Sequence, residues 1–114
     1  MGGFMKYGQR NEDGYTIIEL NGEVDLSCSP DAREQILAAV NNDQDTLVDL
    51  SAVSYIDSSG VASLVEGYQA ARKRNVRFGL LAVSPAAMSV FKLARLDTVF
   101  PIHATLAEWQ QADG

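Results

Sequence analysis

Residues 55–60 read Tyr-Ile-Asp-Ser-Ser-Gly, a few positions downstream of the apolar run Leu47-Val48-Asp49-Leu50. That run has the nearly unbroken hydrophobicity of a strand buried on both faces at the centre of a sheet. Beyond the hexapeptide, Val61, Leu64, Val65 and Tyr68 fall at i, i+3, i+4 and i+7, one face of an α-helix. Asp57, Ser58 and Ser59 therefore stand where a buried strand hands over to a helix N-terminus. Orphan backbone N–H groups and the positive end of the helix dipole collect at such a place. A phosphate on a serine there would be electrostatically accommodated. Ser58 is thus a candidate switch residue rather than a candidate nucleophile.

The same helix closes on Arg72-Lys73-Arg74-Asn75, cations in the last turn followed by a residue that tolerates the left-handed conformation. Upstream, Phe4 to Tyr7 reads as a short edge strand. Asn11-Glu12-Asp13-Gly14 is a turn signal, and Tyr15 to Leu20 is a strand ended by Asn21-Gly22. Ser29-Pro30-Asp31 announces a helix with Ser29 as N-cap, proline at the first helical position and an acid in the first turn. Ile36, Leu37 and Val40 form its apolar stripe, and Asn41-Asn42-Asp43 breaks it. Downstream, Val76 to Val83 is a strand and Ser84-Pro85 opens another helix, marked by Met88, Phe91 and Leu93. Val99 to Ile102 is a short last strand. Thr105-Leu106-Ala107-Glu108 matches a capping box ahead of Trp109.

The expected order is β-β-α-β-α-β-α-β-α, with neighbouring strands joined by helical crossovers. This predicts one α/β domain (α+β-like) over residues 1–114. Its sheet is mixed and mostly parallel, with four to five strands and about four helices packed mainly on one face.

The 114 residues suffice for one core. The formal charge of -6 works against general nucleic-acid binding and favours a partner with a basic patch. A single cysteine, Cys28, excludes an internal disulfide and points to a reducing, cytoplasmic setting. No apolar run is long enough to span a membrane, and neither a signal peptide nor a myristoylation pattern is evident. His103 is the only histidine, so no zinc site is expected, and no cofactor either.

Three stretches together carry a family resemblance: Gly22-Glu23-Val24-Asp25, Val48-Asp49-Leu50-Ser51 and Tyr55-Ile56-Asp57-Ser58-Ser59-Gly60-Val61. With Val83-Ser84-Pro85 before the third helix, the chain resembles the STAS domain over essentially its whole length. This domain is shared by sulphate transporters and bacterial anti-sigma factor antagonists. The resemblance implies a regulator that binds a cytoplasmic serine kinase, the anti-sigma factor, and so frees a sigma factor. The kinase phosphorylates the serine after the motif aspartate, the phosphorylated form lets go, and a metal-dependent serine phosphatase resets the cycle. Carried onto this chain, Ser58 is the phosphoacceptor. Asp25, Asp57, Ser58, Ser59 and Gly60 make up the partner surface. The chain departs from the pattern at Leu26-Ser27-Cys28-Ser29-Pro30, where many members continue into a Thr-Ala pair, so partner choice is expected to differ there.

Each candidate also has a plainer reading. Asp57 and Ser58 fit a helix cap, and Ser59 is the rival acceptor. Gly60 fits a close backbone approach, and Gly67 fits internal packing. Cys28 reads as a small buried hydrophobe. Arg72, Lys73, Arg74 and Arg77 read as a solvated helix end. Two other functions compete. A docking subunit of a membrane lipid-transport ATPase would need no phosphorylation. A serine hydrolase would need a Gly-x-Ser-x-Gly elbow, which Ile56-Asp57-Ser58-Ser59-Gly60 does not supply. From its length and the lack of a membrane-spanning run, the chain is not expected to be a sulphate transporter itself.

Overall fold

The computed structural model describes residues 6–113. Along them run β1 (Gly8–Glu12), β2 (Tyr15–Val24), α1 (Ser29–Asn41), β3 (Thr46–Ile56) and α2 (Ser58–Arg74), then β4 (Phe78–Leu81), α3 (Pro85–Leu93), β5 (Ile102–His103) and α4 (Leu106–Asp113). The strands form one sheet in the order β1-β2-β3-β4-β5. β1 and β2 pair antiparallel through a two-residue turn in which Asp13 (φ 53°) and Gly14 (φ 87°) are both left-handed, as a tight hairpin requires. The other three pairings are parallel. The predicted α/β class, element order and mostly parallel mixed sheet are all present.

β3 is central, and its residues alternate between two cores. Val48 and Leu50 join Ile18, Leu20, Ile36, Val40, Leu64 and Phe91 beneath α1, α2 and α3. Leu47 points the other way, into a small cluster with Tyr15, Ile17, Leu81 and Trp109 beneath α4. Three helices thus cover one face and one short helix covers the other. Trp109 lies over Gly79, where a Cβ would collide with the indole ring. On the main face the buried line of α2 is Gly60, Ser63, Leu64, Gly67 and Ala71. Its small residues let α2 approach its neighbours closely. A Cβ on Gly67 would come within 2.6 Å of Ile36 Cγ2.

Several boundaries differ from those expected. Of the expected Phe4–Tyr7 strand, Phe4 and Met5 lie outside the described residues, and the first strand begins after Tyr7. Gln35 holds Tyr7 instead, accepting from the Tyr7 N–H at 3.3 Å and donating to the Tyr7 carbonyl at 2.9 Å. β2 does not end at Asn21-Gly22. It runs on to Val24 because register shifts on either side, with Gly22 at φ 68°, absorb the break as bulges. Ser29 is not the N-cap. The Asp25 carbonyl accepts from the N–H groups of Cys28 (3.0 Å) and Ser29 (2.8 Å), a tight turn that moves the cap to Cys28 and makes Ser29 the first helical residue.

β4 is shorter than Val76–Val83. The Val76 N–H is used by the end of α2, and Ala82 turns the chain at φ 50°. The last strand starts at Ile102 because the amides of Val99 and Phe100 bond back to the Leu96 carbonyl. Leu93 lies at the end of α3 but is 87% exposed.

β3 continues well past the expected Leu50. β4 pairs only with Thr46–Asp49, whereas β2 accompanies β3 to its last residue and sets Val24 beside Ile56. The far half of β2 and β3 is therefore a two-stranded ribbon, and both of its ends lead straight into helix starts.

Candidate functional site

Where the ribbon ends, the Asp57 N–H donates to the Val24 carbonyl at 3.2 Å. This ties the start of α2 to the end of β2. Asp57 is the N-cap in extended conformation. Its Oδ1 accepts from the N–H groups of Ser59 (2.9 Å) and Gly60 (3.2 Å) and from the Ser59 hydroxyl (2.5 Å). Two of the orphan donors of the helix are satisfied in this way. Gly60 is buried against the same junction. A Cβ there would lie 2.8 Å from the Val24 carbonyl oxygen and 2.7 Å from Ile56 Cγ1. The close backbone approach expected at Gly60 is thus made by β2 itself.

Asp25 repeats the arrangement one loop away. Its Oδ1 accepts from the N–H (3.0 Å) and hydroxyl (2.6 Å) of Ser27. Asp25-Leu26-Ser27 and Asp57-Ser58-Ser59 are therefore two Asp-x-Ser motifs with the same bonds. The two are joined through the backbone, because the Asp57 N–H bonds to the carbonyl of Val24, the residue before Asp25. Hydrogen bonds from Ser59 hold the Asp57 carboxyl below the usual carboxylate range, assisted by the Gly60 and Ser59 amides. Bonds from Ser27 do the same for Asp25, although the Asp57 charge nearby pushes it upward.

The two central residues of these motifs point outward. Ser58 is exposed, and among the described residues no hydrogen bond engages its hydroxyl. Leu26 is 73% exposed, and Tyr55, just ahead of the site, is 50% exposed. Reading the sequence for apolar periodicity missed Leu26, Ser27 and Tyr55 as parts of this surface. The repeated Asp-x-Ser spacing, which favours local side-chain turns, is a signal in the sequence that marks Ser27, while Leu26 and Tyr55 carry none.

The structure brings Asp25, Asp57, Ser58, Ser59 and Gly60 together. It leaves the other candidates elsewhere or changes their setting. Cys28 is half-buried rather than a core hydrophobe, with its Sγ 3.6 Å from the Ser27 hydroxyl. His103 lies on β5 with its ring 5.3 Å from that of Trp109. Arg74 pairs with Asp43 at 2.9 Å, and Arg72 sits over the Tyr68 ring at the far end of α2. Among the described residues no group of three or more His, Cys, Asp or Glu side chains is placed to hold a metal. No described helix is long and apolar enough to cross a membrane.

This fold and its capped strand–helix junction have clear relatives. The STAS domain pattern matches residues 9–109, and the chain belongs to the STAS domain family. The chain is 30% identical to an anti-sigma factor antagonist from Mycobacterium paratuberculosis, with a TM-score of 0.83 and coverage of 94% of this chain and 92% of that one. An anti-sigma-factor antagonist (STAS) domain protein from Planctomyces limnophilus is 24% identical, with a TM-score of 0.81 over 93% and 96% of the two chains. The Bacillus cell fate determinant SpoIIAA in its phosphorylated form is 22% identical, with a TM-score of 0.72 over 95% and 99%. At the level of the family, these relatives are non-enzymatic regulators.

Proposed function

We propose that this protein is a partner-switching anti-sigma factor antagonist whose phosphoacceptor is Ser58. In this reading the unphosphorylated protein binds a cytoplasmic serine kinase through Asp25, Asp57, Ser58, Ser59 and Gly60, flanked by the exposed Leu26 and Tyr55. Phosphorylation of Ser58 releases the kinase, and a metal-dependent serine phosphatase restores the binding form.

The observation that carries this reading is the difference between two adjacent hydroxyls. Ser59 is committed to Asp57 at 2.5 Å, while Ser58 is exposed and unengaged. Only Ser58 can present its hydroxyl to a kinase without first breaking a bond of the fold. A phosphate there adds about -1.5 to -2 charge. The dipole of α2 offsets part of that, by roughly 0.3–1 kcal/mol. Asp57 and Asp25 stand close by, so the rest of the new charge is felt by whatever lies against the surface. Release then follows from local repulsion and bulk, with the fold intact.

The test is phosphosite mapping of the protein isolated from its native cells, beside a Ser58→Ala variant. Phosphate on Ser58 that is absent from the variant supports the switch. Phosphate on Ser59, or none under several growth conditions, sinks it and moves the reading towards a docking subunit without phosphorylation.

A further inference from the structure

We propose that the cavity between α4 and the open edge of β4 is a binding site for a small aromatic carboxylate. The cavity measures about 330 Å³, within the range of small-molecule sites, about 300–1,000 Å³. Arg77, Phe78, Pro101, His103, Trp109 and Ala112 line it. It lies on the α4 face at the start of β4. Ser58 stands past the far end of the parallel β3, on a helix of the opposite face. The proposal therefore does not depend on phosphorylation of Ser58.

The sequence leaves a gap in the sheet at this place. β5 pairs with Leu80 and Leu81 only. The Leu80 N–H donates to the Pro101 carbonyl at 2.9 Å. One step back along the ladder, the residue placed to donate to the Phe78 carbonyl is Pro101 itself, which has no N–H. The chain ahead of Pro101 turns away, with the Val99 and Phe100 amides bonded to the Leu96 carbonyl. β4 thus has no strand beside it at Phe78. The Phe78 ring belongs to the opposite core, so this residue meets the cavity through its main chain.

The walls suit a flat ring that carries a negative charge. Trp109 and Pro101 supply apolar surfaces, and the His103 ring stands at 78° to the indole. Because Gly79 has no Cβ, the indole can lie directly on the strand. Its N–H is buried and unpartnered among the described residues, so packing rather than a hydrogen bond positions the ring and lets it adjust to a guest. Arg77 is exposed and brings a fixed positive charge, of the geometry that recognises carboxylates. Among the described residues that line the cavity none is acidic. Asp45, the acid beside Arg77, is engaged by the Arg77 main-chain N–H at 2.9 Å.

The test titrates the full chain with sodium benzoate, with benzyl alcohol and with sodium phosphate, and follows the fluorescence of Trp109, the only tryptophan. Amide NMR shifts locate the site. Benzoate should give a saturable change, half complete at or below about 1 mM. Its shifts should centre on Phe78, Gly79, His103 and Ala112. Benzyl alcohol should bind more weakly, and phosphate should give no saturable change. Arg77→Gln should weaken benzoate about tenfold, as for a lost charge-assisted hydrogen bond, and leave benzyl alcohol unaffected. Ala112→Leu, which fills the cavity, should abolish binding of both. No saturable response to benzoate, an equal response to benzyl alcohol or phosphate, or shifts centred elsewhere overturns the proposal. So does a folded Arg77→Gln that binds benzoate as wild type does. If circular dichroism shows Arg77→Gln unfolded, Ala112→Leu decides, and undiminished binding by it overturns the proposal.

Discussion

The Ser59 hydroxyl donates to the Asp57 carboxylate at 2.5 Å, through the same oxygen that receives the Ser59 and Gly60 amides. One carboxylate oxygen therefore caps α2 and immobilises one of the two serines beside it. The neighbouring Ser58 has no such duty. This asymmetry separates structural from functional effects at adjacent positions.

Ser59→Ala should lower stability by about 1 kcal/mol, the worth of one lost intramolecular hydrogen bond. Ser58→Ala should change stability by no more than about 0.5 kcal/mol, as for an exposed side chain without bonds. Urea denaturation of the two variants checks both. Equal losses would remove the distinction on which the choice of Ser58 rests.

Ser58→Asp should leave the fold unchanged. A negative charge at the first position of α2 is favoured by the dipole, and neighbouring Asp57 opposes it. Far-UV circular dichroism should match wild type. A large loss of helical signal would mean that charge at this position acts by refolding rather than by repulsion.

Gly60→Ala and Gly67→Ala should both destabilise, although alanine is the better helix former by about 1 kcal/mol. At Gly60 the new methyl meets the Val24 carbonyl at 2.8 Å. At Gly67 it meets Ile36 Cγ2 at 2.6 Å and Phe78 Cε2 at 3.0 Å. Overpacking of this kind typically costs about 1–3 kcal/mol. Thermal midpoints lower than wild type are expected for both.

Acid should weaken the protein in part through Asp57. Its folded pKa lies below the ordinary value of 3.8 because the charged form is hydrogen-bonded. The stability it contributes is therefore complete above the unfolded pKa and is lost as pH falls through the folded one. Asp57→Asn keeps an acceptor but cannot titrate. Its urea midpoint should vary less with pH across the acid range than that of wild type.

Much of this architecture was legible in the residues. The apolar run at Leu47–Leu50 reads as a central strand because both of its faces are buried. Asp57 and Asn75 read as the two ends of α2, and Asn75 does adopt φ 58°. What escaped reading depends on tertiary pairing. The far half of β3 carries exposed Ser51, Ala52, Ser54 and Tyr55, so it lacks a strand-like apolar run and is held by β2 instead. Gly22 looks like a strand end until bulges absorb it. Ser29 has the chemistry of a cap, yet the Asp25 carbonyl takes its amide and places it one position inside the helix. Leu26 carries no periodic signal, and only the closed loop shows it standing in solvent beside Ser58.

The two faces of the sheet are held unequally, and this has a consequence for how the molecule comes apart. Three helices seal one face. The other depends on the eight residues of α4, whose anchor Trp109 keeps its indole N–H buried and unpartnered among the described residues. Such a thinly fastened segment is where sub-global opening begins. Trp109 is also the only tryptophan in the chain. Its fluorescence therefore follows the weakly sealed face, while circular dichroism is dominated by the three helices opposite. On gentle heating the emission should shift before the helical signal falls, so a melting point taken from fluorescence alone would describe the detachment of α4 rather than the unfolding of the domain.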